Sequence, residues 1–106
     1  MLYTLGLNIE SAMTGRYGAE NIAIQLRGDG LNVTTIEGDV AKDEQHCLQF
    51  RISLSNSKLI LEMSNYGYDH KDEPTTVEFN VESGDLSKFY KPICCELGLR
   101  LEGIVP

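Results

Sequence analysis

The sequence has no tryptophan, only three prolines and three cysteines, and nine Lys and Arg against sixteen Asp and Glu. The shortage of positive charge leaves a net charge of -7, so attraction to a phosphate backbone is unfavourable and nucleic acid is not expected as a direct partner. Cys47, Cys94 and Cys95 are an odd number without disulfide-framework spacing, which suits a reducing compartment. No apolar run approaches the roughly eighteen residues that cross a bilayer, and no basic leader precedes an apolar stretch at the N-terminus. The expectation is a soluble cytoplasmic protein with no membrane partner. Walker, nucleophile-elbow and HExxH motifs are absent as well.

What is present is an ordinary globular composition, 42% apolar and 24% charged, over 106 residues. That length suits a single domain, 1–106, with one core. Charge is spread along the chain: residues 1–53 carry four basic and seven acidic groups, and residues 54–106 carry five and nine. Neither half is a charged tail.

Period-two alternation of Leu5, Leu7 and Ile9 predicts a strand over 2–9, followed by a loop over 10–18 with room for one helical turn. Residues 19–27 fit either period. Ile22, Ile24 and Leu26 alternate, whereas Ala19, Ile22, Ala23 and Leu26 have helical spacing, and the composition favours helix with Gly28 and Gly30 as stops. The β-branched stretch 31–36 then predicts a strand ending in a turn at Glu37-Gly38-Asp39, with a polar separator over 41–45.

Leu48, Phe50, Ile52 and Leu54 share a face of a strand over 46–54, and Leu59, Leu61 and Met63 share a face of another over 58–63. Turn residues Ser55-Asn56-Ser57 join them as a hairpin. A polar loop over 64–74 leads to a strand in which Val77, Phe79 and Val81 face a core. Leu86, Phe89, Ile93 and Leu97 predict a helix over 86–97, capped by Ser83 or Asp85, kinked or shortened at Pro92 and stopped at Gly98 before a closing strand over 99–102.

Each predicted helix is followed by Gly-Leu, a strand and Glu-Gly, as in 30–38 and 98–103. The expected fold is therefore α+β: a mainly antiparallel sheet of about six strands with two helices on one face, resembling the ferredoxin-like plan in general layout. If residues 19–27 are strand, the alternative is a β-meander or small barrel with one C-terminal helix.

Few residues offer chemistry. His46 and Cys47 are neighbours on a strand, so they point to opposite faces and form no base and nucleophile pair. Cys94 and Cys95 lie about 100° apart on a helix, one expected buried and the other near the helix flank. Asp69, His70, Asp72 and Glu73 crowd one loop, but Lys71 interrupts them and the spacing matches no calcium loop. No metal or cofactor is expected. Arg27-Gly28-Asp29 and the sequon at Asn32 have no role without export, and Gly28-Asp29-Gly30 lacks the third glycine of a dinucleotide fingerprint and is read as a turn.

Without a base near a nucleophile the chain is expected not to be an enzyme. A small-ligand-binding regulatory domain is the alternative. The preferred expectation is a non-catalytic module that occludes a basic protein such as a nuclease toxin, like small immunity proteins, toxin antidotes and phage-encoded inhibitors in general character. Its partner-binding residues would be Tyr66, Tyr68, Asp69, Asp72 and Glu73, together with Glu37, Asp39, Asp43 and Glu44.

Overall fold

A computed structural model describes residues 2–30, 32–81 and 85–103. Its elements are helix α1 (Leu2–Tyr17), strands β1 (Ile22–Asp29), β2 (Asn32–Asp43), β3 (His46–Ser55), β4 (Lys58–Tyr66) and β5 (Thr75–Asn80), and helix α2 (Tyr90–Leu101). Short 3-10 turns at Ala19–Asn21 and Ser87–Phe89 introduce β1 and α2. The strands form one antiparallel meander in the order β1-β2-β3-β4-β5, with every strand beside its neighbours in sequence. Among the described residues the fold is α+β, with five strands rather than six. Because no connection crosses over, the ferredoxin-like layout does not hold, and the meander with a C-terminal helix is the compatible alternative.

The first 27 residues correct the sequence reading. Residues 2–9 are helix, and the expected loop over 10–18 continues that helix to Tyr17. Leu2, Leu5, Ile9 and Met13 are buried at helical spacing, while Leu7, which completed the apparent alternation, is 42% exposed. Buried Gly6 lets α1 approach the sheet closely, since a β-carbon there would overlap the Leu26 side chain and touch Ile36. Gly18, with φ of 93°, ends the helix in a conformation open to glycine, and the Asn21 side-chain amide donates to the Tyr17 carbonyl at 2.8 Å.

Residues 22–29 are strand, with Ile22, Ile24 and Leu26 turned toward the core and Ala23, Gln25 and Arg27 toward solvent. The competing period was the correct one here, and tertiary pairing with β2 overrode the helical composition. Glu37-Gly38-Asp39 lies mid-strand in β2, and residues 41–43, expected as part of a separator, extend that strand. Of Gly28-Asp29-Gly30, expected as a turn, Gly28 and Asp29 instead pair with Val33 and Asn32 at the end of β1, and only Gly30, at φ of 63°, lies in the turn.

The hairpin of β3 and β4 stands where it was expected, and Asn56 and Ser57 take positive φ in its turn. At the C-terminal end, the helix starts later and runs further than expected. Asp85 accepts from the Ser87 N–H at 3.1 Å just ahead of the 3-10 turn, whose N-cap is Leu86 with no side-chain cap bond, so neither that turn nor α2 is capped by Asp85 as expected. Pro92 is the third residue of α2, in the first turn where its missing N–H costs little, so the helix is shortened at its start and follows the 3-10 turn at Ser87–Phe89. Gly98 does not stop the helix: it is buried within α2 beneath the Arg16 guanidinium, and residues 99–101 are its last turn instead of a strand. Leu31, Glu82 and Ser83, which carried parts of these expectations, lie outside the described residues.

Both helices pack on one face of the sheet. Leu5, Ile9 and Met13 of α1 and Ile93, Leu97 and Leu101 of α2 meet Ile36, Val40, Leu48, Ile52, Leu59 and Leu61 in one apolar cluster. Asn65 sits on that face and donates to the Arg100 carbonyl at 3.0 Å, satisfying a carbonyl at the end of α2. Lys42 pairs with Glu102 at 2.8 Å beside it.

Candidate functional site

Among the described residues no element covers the opposite face of the sheet. Strand alternation decides what that face presents. One row across the strands reads Gln25, Glu37, Arg51, Glu62 and Thr76, and the next reads Ala23, Asp39, Gln49 and Ser64. Opposite charges therefore stand across Glu37, Arg51 and Glu62, an arrangement that stabilises the exposed rows modestly. Arg27 bridges Glu37 and donates to the Gln25 side chain at 2.7 Å.

A shallow depression of about 500 Å³ lies on this face. Arg27, Arg51 and Lys71 line it together with Glu37, Asp39 and Glu62, so its charges balance. At one end the Tyr66 hydroxyl donates to Asp39 Oδ1 at 2.8 Å. Partial burial, then the adjacent Asp39 carboxylate, push the Tyr66 phenol up to about 12. Cys47 lies across from Tyr66 on the same face and donates to the Asp43 carbonyl at 3.3 Å. Burial and the nearby Asp43 and Asp39 raise its thiol.

The residues expected as a polar loop over 64–74 form a longer hairpin. β4 runs to Tyr66, a tight turn spans 67–70, and Lys71 returns beside Tyr66 as a β-bridge. Two residues, Ser64 and Asn65, then face Asp72, Glu73 and Pro74 before Thr75 pairs with Met63. That mismatch is a bulge. Ser64 is buried beneath it and donates to the Asp72 carbonyl at 2.9 Å, while the Asp72 N–H bonds Asn65 at 2.8 Å.

This tip touches the turn between β2 and β3. A β-carbon on Gly67 would stand 2.6 Å from the Gln45 carbonyl oxygen and against the His70 ring, so the two tips meet where only a glycine fits. Asp43 accepts from the Gln45 N–H at 2.9 Å and contacts His46 Nδ1 at 2.7 Å; the His46 bond, first, and the backbone bond hold its carboxyl below the usual range. Tyr68 is 83% exposed. Asp43, Glu44, Asp69, Asp72 and Glu73 are all exposed around this junction, with Lys71 among them and Lys42 beside Asp43.

The nine residues singled out from sequence thus divide. Asp43, Glu44, Tyr68, Asp69, Asp72 and Glu73 surround the joined tips, Tyr66 and Asp39 lock together beside them, and Glu37 lies further along the face, paired with Arg27. Sequence reasoning missed Gln25, Gln49, Arg51 and Glu62, although alternation against the core positions of β3 and β4 would have found the last three. Among the described residues no group of three or more His, Cys, Asp or Glu is placed to hold a metal ion, and no helix is long and apolar enough to cross a membrane. Comparison with protein-family models, curated proteins and solved structures finds no match to this chain.

Proposed function

We propose that this chain is a non-catalytic protein-binding module of the cytoplasm, an acidic inhibitor or immunity and antidote type of protein that occludes a basic partner such as a nuclease toxin. The observation that carries the reading is the contact of Gly67 with Gln45, which joins two acidic hairpin tips into one surface. Five carboxylates and the exposed Tyr68 ring there supply the negative field and the aromatic anchor that basic protein surfaces recognise. The charge-balanced depression behind the tips is open and rimmed by six charged side chains, unlike the enclosing pockets that hold small ligands, which favours a macromolecule over a metabolite.

The test is calorimetric titration of the purified chain with the protein that co-purifies with it from its native host. Affinity should fall steeply with added salt. Replacing Tyr66, Tyr68, Asp69, Asp72 and Glu73 by alanine should weaken it by more than about tenfold. An acidic partner, a salt-independent affinity or an unaltered affinity in the five-residue variant would overturn the reading. So would turnover of any compound that is abolished by substituting His46 or His70.

A further inference from the structure

We infer that β1 is a self-recognition edge, along which two copies of this chain pair antiparallel about a two-fold axis at Ile24 and continue one sheet into the other. The meander has two edges, and they are unequally defended. β5 is six residues long, follows Pro74 and a bulge, and carries Glu78. β1 is eight residues long, has no proline, and is paired on one side only among the described residues.

Its composition suits a second copy of the same acidic chain. Residues 22–28 contain no carboxylate, and their one charge, Arg27, is already tied to Glu37 and Gln25 of its own sheet. Two chains of net charge -7 repel over most of their surfaces, so a carboxylate-free edge is where close approach costs least. The core-facing side chains of β1 also stop short of full burial: Ile22, Ile24 and Leu26 are half-buried, whereas Ile36 and Val40 beside them on β2 are buried. An added strand would cover that remaining apolar surface.

The strand is complementary to itself in one register. Antiparallel pairing keeps opposed side chains on one face, so a two-fold axis at Ile24 sets Ile24 against its own copy and Ile22 against Leu26. On the solvent face it sets Ala23 against Gln25, and beyond them Arg27 against Asn21. No like charges are opposed. The irregularity between Arg27 and Gly28 ends the regular segment, which makes the interface short and the association weak and concentration-dependent.

Sedimentation equilibrium of the full chain from micromolar to millimolar concentration tests this. The weight-average mass should rise from one chain toward twofold, with amides of residues 22–27 gaining exchange protection as it does. Ala23→Glu with Gln25→Glu, both on exposed positions, should hold the chain monomeric, whereas Ala23→Lys with Gln25→Glu opposes unlike charges across the axis and should restore or strengthen the dimer. A monomer at every concentration overturns the inference, as does a dimer that both double variants leave unaltered. None of these readouts involves the basic partner, so this inference and the proposed function stand or fall separately.

Discussion

The ring of Phe50 lies directly against Gly38 on the neighbouring strand, where a β-carbon would overlap it. Both positions are buried on the helix-covered face, so the ring fills space that a side chain on β2 would otherwise claim. Gly38→Val should therefore destabilise the protein by about 1–3 kcal/mol in urea unfolding, although valine is the better strand former, because the overlap must be relieved by moving the ring. Adding Phe50→Leu to that variant should recover part of the loss.

Asn65→Leu should cost about 1 kcal/mol by the same measurement, since the Arg100 carbonyl at the end of α2 loses its side-chain donor and keeps the longer bond from the Gly103 N–H at 3.3 Å. Lys42→Ala, which removes the exposed pair to Glu102 nearby, should cost clearly less. Equal losses would mean that the two contacts hold α2 to the sheet in the same degree.

Tyr66 should ionise near pH 12 in a spectrophotometric titration, and Asp39→Asn should bring that ionisation down by removing the carboxylate that accepts its hydroxyl. The folded phenol titrates above its ordinary value of 10.0, so its contribution to stability is full below pH 10 and is lost as pH rises from there to about 12. Stability of the wild type should accordingly fall more steeply over that window than stability of Tyr66→Phe.

Thiol reactivity should separate the three cysteines at pH 8. Cys95 is exposed and should react first with an aromatic disulfide reagent, while burial pushes the Cys94 thiol up to about 11 and raises Cys47 as well. Cys95→Ser should remove the fast phase; Cys47→Ser should leave it intact.

The centre of this fold was legible for a physical reason. Core positions in β3, β4 and β5 alternate with polar residues because one face of those strands is covered and the other is bare, and the same rule placed Cys47 away from Leu48 and Phe50. The opening was not legible in that way. Leu7 is an exposed leucine on a helix, and it turned a helical set into an apparent alternation; β1, at the edge, carries helix-favouring residues that only pairing with β2 constrains. Gly38 misled for a third reason, since a glycine that admits a neighbour's ring has the same letter as one that makes a turn. The acidic residues were visible from composition, but the contact of Gly67 with Gln45 that gathers them depends on a bulge and a β-bridge that no local period encodes.

The meander has a further consequence for synthesis on the ribosome. Each hairpin pairs segments adjacent in the chain, so strands can zip together in the order in which they emerge, with short loops to close. Ile93, Leu97 and Leu101 arrive last, and until residues 90–101 clear the exit tunnel the apolar floor of the nascent sheet is roofed by α1 alone. A stalled or truncated product would thus offer chaperones and proteases a greasy half-built surface, which the final helix closes in a single late step.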